Sequence, residues 1–338
     1  MRPSTSRGLL WAGVLAGLFT STASTPVRNP VQALFVLEDS SAGDAQLNRD
    51  FPDPSIIRAH DGFWYSYATN SNGKNVQVAR AHEPLGPWEW LDFDVMPDRG
   101  WTSGRNTWAP DVRRTSNGSY VLYFSGELPN QNGKHCVGVA LAMEPLGPYT
   151  PQPEPWACHL DQGGAIDPAG FLDTSTGRRY VTYKVDGNHD GNGGDCGNSI
   201  EPLAATPLML QEVDAVDGHT KIGPPVQILD RTAADGPLVE APSIALLSDG
   251  TYVLFYSSFC FSSSRYNVNY ATARTPEGPY ERAARPLLVT GDFGLQSPGG
   301  ASSVMGGGQL LFHANCEQGR CLYTTNYLVV GSEVIVGW

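Results

Sequence analysis

The sequence predicts an all-β fold, a five-bladed β-propeller, and three observations carry that reading. First, short Pro-containing motifs recur five times in order: residues 53–57 (DPSII), 109–112 (APDV), 166–171 (IDPAGF), 240–244 (EAPSI) and 297–304 (SPGGASSV). Second, each is followed by a turn and an aromatic-rich run: Phe63–Ala68, Tyr120–Ser125, Tyr180–Val185, Tyr252–Ser257 and Gln309–His313. Third, a small-residue run ending in Pro-x-Gly-Pro-aromatic appears at Ala79–Trp88, Ala140–Tyr149 and Ala271–Tyr280. Five equivalent starts imply five copies of one unit around an axis. A β-sandwich, the nearest competing fold, offers no reason for them.

The chain opens with a different kind of segment. Arg2 and Arg7 precede the apolar run Gly8–Phe19, and small residues follow from Thr20 to Thr25. That order reads as a secretory leader, residues 1–24, cut between Ala23 and Thr25. The apolar run is shorter than the roughly 20 residues that span a bilayer. Residues 25–47 are then a lead-in, and 48–338 the propeller. Secretion into the extracellular space is the expected localisation.

The elements of each unit follow from local chemistry. Proline at the start of an inner strand forfeits no needed ladder bond. The next turns hold Asp61-Gly62, Asn117-Gly118, Thr176-Gly177, Asp249-Gly250 and Gly306–Gly308, and Asn-Gly or Asp-Gly between strand-like runs marks a hairpin, because glycine accepts positive φ. The third interval is the longest and carries a Gly-rich insertion, Gly187–Gly197, expected to form a long rim loop that Cys196 tethers. Its His189, Asp190 and Asp195 lack the ligand spacing of an EF-hand.

Six cysteines, an even number in an exported chain, suggest three disulfides among 15 connectivities. Cys316 and Cys321 flank a turn-like Glu-Gln-Gly-Arg and suit a local bridge. A zinc site is the alternative, but no CxxC or HxxxH spacing occurs. Asn117-Gly118-Ser119 is a glycosylation sequon in a turn. The formal charge of −12 argues against nucleic acid or an anionic membrane as partner and suits a neutral polysaccharide. A monomer is expected.

Inner strands that begin at one mouth of a central channel bring their first residues together. Asp53, Asp167 and Glu240 occupy such starts in the first, third and fourth motifs. Glycoside hydrolysis with inversion needs an acid for the leaving oxygen and a base for water, and a third carboxylate raises the pKa of the acid. Asp53 and Asp167 stand immediately before their prolines and Glu240 two residues before, so their side chains are expected to aim differently.

The ordered set at Phe51 (FPDPSI), Trp108 (WAPDV), Ala165 (AIDP) and Val239 (VEAPSI) resembles glycoside hydrolase family 43, from about Asn48 to the C-terminus. The resemblance implies a five-bladed propeller that cleaves arabinose- or xylose-containing plant polysaccharides with inversion. By position, Asp53 is then the general base, Glu240 the general acid, and Asp167 the residue that raises the pKa of Glu240 and orients it. Arg320 matches a family arginine that reaches the active site. His313 matches a histidine near a calcium or water on the axis, through water rather than by direct ligation, so a structural calcium is expected there while the chemistry needs no cofactor. Trp108 is expected to wall the sugar pocket, Phe51 to border it and Lys184 to face the sugar, with Asp111 bracing a neighbouring strand.

The fifth motif, Ser297-Pro-Gly-Gly-Ala-Ser, lacks the histidine that many members carry after Gly-Pro-Gly, so subsite geometry is expected to differ. No β-sandwich domain is expected after blade five. The leading expectation is an exo-acting α-L-arabinofuranosidase or β-xylosidase. An endo-α-1,5-L-arabinanase and a non-catalytic carbohydrate-binding propeller are the alternatives.

Overall fold

The computed structural model describes Met1 and residues 43–337. The expected leader, its cleavage point and most of the lead-in lie outside the described residues. From Ile57 onward the chain forms five four-stranded antiparallel sheets, each a meander of consecutive strands. Blade one is β1 (Ile57–Arg58), β2 (Trp64–Ala68), β3 (Gln77–Ala81) and β4 (Glu89–Leu91). Blade two is β5 (Thr107–Arg114), β6 (Tyr120–Glu127), β7 (His135–Ala142) and β8 (Thr150–Pro151). Blade three is β9 (Ala165–Leu172), β10 (Arg179–Val185), β11 (Leu208–Val213) and β12 (Lys221–Leu229). Blade four is β13 (Val239–Leu246), β14 (Tyr252–Ser258), β15 (Asn267–Ala273) and β16 (Glu281–Arg282). Blade five is β17 (Gly299–Ser303), β18 (Gln309–Cys316), β19 (Gly319–Val330) and β20 (Glu333–Gly337). The described residues contain only short 3-10 turns as helix. The fold is the all-β five-bladed propeller that the repeats predict.

The aromatic-rich runs become the second strand of each blade, and they are buried almost throughout: every residue of β6, β10 and β14 is inside. Strands buried on both faces lose the alternation of a half-exposed sheet. What they pack against is the next blade. One core cluster joins blades one and two around Tyr67, Val112 and Phe124. Another joins blades four and five around Phe255 and Phe312. A third joins blades five and one around Phe51, Leu311 and Leu322. Apolar burial, the dominant driving force of folding, is therefore distributed radially between sheets instead of gathered at one centre.

The ring needs a closure, and a segment ahead of β1 supplies it. Gln46 donates its N–H to the carbonyl of Leu322 at 2.7 Å, and Phe51 donates to that of Arg320 at 2.8 Å. The segment lies along the part of β19 that β20, which pairs only from Asn326 onward, leaves open. Phe51 is wholly buried in the blade five–blade one core, and it does not line the active-site cavity described below. The expectation that it borders the pocket is corrected: the closing segment's bond to Arg320 sets Phe51 in the seam against Leu311 and Leu322.

Three disulfides use all six cysteines: Cys136–Cys158, Cys196–Cys260 and the local Cys316–Cys321.

Candidate active site

Every inner strand carries an irregularity at its Pro motif, and that irregularity builds the site. A residue beside the motif proline has positive φ in every blade: Asp53 (55°), Ala109 (40°), Asp167 (56°), Ala241 (53°) and, with Ser297, Gly300 (58°). The ladder register slips at the same place in the four blades whose inner strand spans it. Such conformations cost about 1–3 kcal/mol for a residue with a Cβ and persist only where the surroundings fix them. Here the freed backbone N–H is captured by a side chain on, or in the case of Thr69 immediately after, the second strand of the preceding blade. Ala109 donates to Thr69 Oγ1 at 2.8 Å, Asp167 to Ser125 Oγ at 2.9 Å, Gly300 to Ser257 Oγ at 3.0 Å and Asp53 to His313 Nδ1 at 3.0 Å.

The fifth junction breaks the pattern. Its second-strand position is Lys184, which pairs with Ile166 as Ser125 pairs with Trp108 and Ser257 with Glu240. An ammonium has donors and no acceptor. The Ala241 N–H therefore turns to the Asp167 carboxylate, Oδ2 at 2.9 Å. Lys184 is released to place its Nζ 3.2 Å from Glu240 Oε2 and 3.1 Å from Asp186 Oδ1. One substitution in a symmetric ring thus fixes Asp167 and Glu240 side by side.

Asp53, Asp167, Glu240, Trp108, Lys184 and Arg320 all line one cavity of about 440 Å³ at this mouth. Asp53 is an ionised carboxylate. Burial alone would raise its pKa, but Arg320 Nη1 at 3.3 Å, His313 and the Thr69 hydroxyl at 2.5 Å together hold it below the usual carboxylate value. The 3.4 Å approach of His313 to Asp53 Oδ1 is no ion pair at neutral pH, because burial and Arg320 push the imidazole down to about 3. Burial, reinforced by the Glu240 charge, pushes Asp167 up to about 8. Glu240 itself accepts from Lys184 and from the Tyr266 hydroxyl at 2.8 Å.

The remaining expected residues find definite places. Trp108 stands at the register position equivalent to Glu240 and stacks on His135 with centroids 3.7 Å apart. Lys184 borders the cavity but is wholly buried, its charge spent on two carboxylates. Asp111 is clamped by Arg113 and accepts the Gly170 N–H of the next blade at 2.7 Å.

Over residues 46–330 the chain matches glycosyl hydrolases family 43. The chain belongs to that family. It is a glycoside hydrolase of a family that inverts configuration, and a polysaccharide is the substrate class the family implies. A probable arabinan endo-1,5-α-L-arabinosidase C of Aspergillus flavus is 23% identical over 297 residues, 81% of this chain and 85% of the relative. Xylosidase/arabinosidase 43A of Humicola insolens is 36% identical over 122 residues, 34% of this chain and 35% of the relative. In fold, a thermostable family-43 glycoside hydrolase superposes with a TM-score of 0.70 at 23% identity, covering 88% of this chain and 95% of that one.

The altered fifth motif now has a physical meaning. A Cβ on Gly299 would stand 1.9 Å from the Tyr266 ring, and one on Gly300 would stand 2.7 Å from His313. The two glycines make the room in which Tyr266 reaches Glu240 and His313 reaches Asp53. Tyr266, Asp186, Thr69 and His135 were not singled out from the sequence. Thr69 follows β2, His135 opens β7 beneath Trp108, and Asp186 and Tyr266 lie in loops, so none belongs to a Pro motif. Only Lys184, at a strand position where other blades carry Ser125 or Ser257, offers a signal for any of them.

The axis below the acids is a narrow cavity of about 40 Å³, large enough for water. Because Nδ1 accepts the Asp53 N–H, the proton of neutral His313 sits on Nε2, a buried atom with no protein partner. A donor N–H cannot ligate a cation, so His313 fits water on the axis, or calcium through water. Ser55 and Ser302, which line the same cavity with buried, unpartnered hydroxyls, supply the oxygen chemistry that calcium prefers. An ion held there by these hydroxyls would contribute positive charge beneath Asp53. No group of three His, Cys, Asp or Glu suited to a metal occurs among the described residues.

Proposed function

We propose that this chain is a secreted endo-acting hydrolase of α-1,5-linked arabinan, working by inversion. The observation that carries the chemistry is the convergence of one ionised and one proton-retaining carboxyl in a single cavity. Endo action and arabinan are supported by the Aspergillus relative, similar along most of both chains. A cavity of about 440 Å³ also exceeds what one pentose requires. The exo-acting arabinofuranosidase or xylosidase expected from the sequence becomes the second reading, favoured by the shorter Humicola match. Secretion, with residues 1–24 as leader, draws support from the three disulfides, which persist in oxidising compartments.

In the proposed mechanism Asp53 takes a proton from the attacking water, with Arg320 stabilising its anionic form beforehand. The Asp167–Glu240 pair retains one proton through neutral pH, since two buried carboxyls in one field do not both ionise. Glu240 delivers that proton to the leaving oxygen, aimed by Tyr266 and Lys184. Trp108, braced by His135, offers its face to the apolar side of a sugar ring.

The test is the product spectrum from debranched arabinan, arabinoxylan and xylo-oligosaccharides, run beside Asp53→Asn. Short arabino-oligosaccharides, absent with the variant, are the expected result. Arabinose or xylose alone from the outset would replace the endo reading with the exo one. A folded Asp53→Asn protein that still turns over would remove Asp53 from the base role.

A further inference from the structure

The propeller has a second mouth, and its chemistry is opposite to the first. Where the inner strands end, a separate cavity of about 460 Å³ is lined by Arg58, Arg113, Arg114 and Arg179 from three blades. No Asp or Glu lines it among the described residues, in a chain whose carboxylates outnumber its Lys and Arg by 34 to 22. Arg113 is neutralised by Asp111 at 2.7 Å. The other three have no ion-pair partner among the described residues. Arg179 is nine-tenths buried and held by two backbone carbonyls, those of Ala215 and Arg114. Those bonds leave its positive charge uncompensated. Arg58 and Arg114 are exposed at the rim.

Between the guanidinium groups the lining is mostly apolar, with Thr174 and Ser303 its polar members. Trp64, Phe171 and Leu246 contribute, and the exposed Met305 stands at the edge. An uncompensated buried cation is costly to maintain without an anion to meet it. Guanidinium forks match carboxylates in geometry, and an aromatic and aliphatic wall suits the apolar face of a sugar ring. We propose that this mouth binds acidic sugars, the uronate residues of a polysaccharide, independently of catalysis at the other mouth. An anionic peptide would satisfy the arginines but has no use for the ring-sized apolar wall. The overall negative charge repels polyanions at a distance, so any retention on one must arise from this local site.

The experiment is affinity electrophoresis and calorimetry of the full protein against polygalacturonate at physiological salt. Fully methyl-esterified polygalacturonate and polyglutamate serve as probes of the sugar without charge and the charge without sugar. The expected result is binding to polygalacturonate alone, weakened about tenfold or more in the Arg58→Ala/Arg114→Ala double variant, with hydrolysis of a short neutral substrate unchanged. Both side chains are exposed, so the variant keeps its fold. No binding to polygalacturonate, or binding undiminished in the variant, would overturn the site. Equal binding of polyglutamate would overturn its specificity for sugar.

Discussion

Lys184 stays charged although it is wholly buried. Burial favours the neutral amine, yet Asp186, Glu240 and Asp167 outweigh it and hold the pKa above the ordinary lysine value. Lys184→Met therefore leaves two carboxylates unpaired, and a loss of about 3–5 kcal/mol of stability is expected in denaturant unfolding. Asp167 behaves in the opposite sense. An acid whose folded pKa is raised above its unfolded value stabilises the fold below the unfolded value and loses that contribution as pH rises, here up to about 8. Asp167→Asn keeps an acceptor for Ala241 N–H and removes the ionisation, so its Tm near neutral pH should rise by about 2–4 °C while activity collapses. A lower Tm would contradict the strained-carboxyl account. The wild-type pH profile should fall on the alkaline side as the Asp167–Glu240 pair loses its proton, near 8. It should fall on the acid side only below the ordinary carboxylate range, where Asp53 protonates.

At the scale of elements, two loops decide the shape of the catalytic mouth. The insertion after β10 folds into two short 3-10 turns, Gly187–Asp190 and Asp195–Gly197. Its Cys196 bonds to Cys260 in the loop after β14, and both loops line the cavity through Asn188, Gly197, Phe261 and Tyr266. The bridge joins neighbouring blades across 64 residues. A Cys196→Ser/Cys260→Ser variant should lose about 2–4 kcal/mol. Its KM for arabinan should rise more than its kcat falls, because the bridge ties loop residues that line the cavity while Asp167 and Glu240 stand on β9 and β13. Equal losses in both would assign the loops a part in the chemistry itself. The edge strands show a different device: β12 runs Lys-Ile-Gly-Pro-Pro and β8 ends in Pro151. Prolines on outer edges withhold the donors that would recruit another sheet.

At the scale of the whole molecule, the repeat made the fold and the acids readable. Five copies of one motif announce a rotation, and Asp53, Asp167 and Glu240 fall at its equivalent starts. Partnerships that cross blades were only partly readable: the resemblance brought Arg320 to the active site but did not name Asp53, 267 residues away, as its partner, and nothing tied Lys184 to Glu240 across 56. Nor does a motif say which face a side chain takes, and Phe51 went to the seam for that reason. Gln46→Pro removes a donor to Leu322 without touching any catalytic group. Hydrogen exchange in β1 and β19 should then accelerate before that in β9 to β11; uniform acceleration would mean the seam is no weaker than the rest.

That seam has a consequence for how the enzyme becomes active. Asp53 belongs to the first blade, while Arg320, which keeps it ionised, and His313, which accepts its backbone N–H, belong to the last. Asp50 and Phe51, on the closing segment, bond the backbone of Arg320 from the other side. In the proposed mechanism, a chain emerging from synthesis therefore carries Asp167 and Glu240 before its last blade but has no competent base until its final strands arrive. In that mechanism catalysis is a readout of completion: a chain that stops short of Arg320 lacks both the ring closure and the group that holds Asp53 ionised.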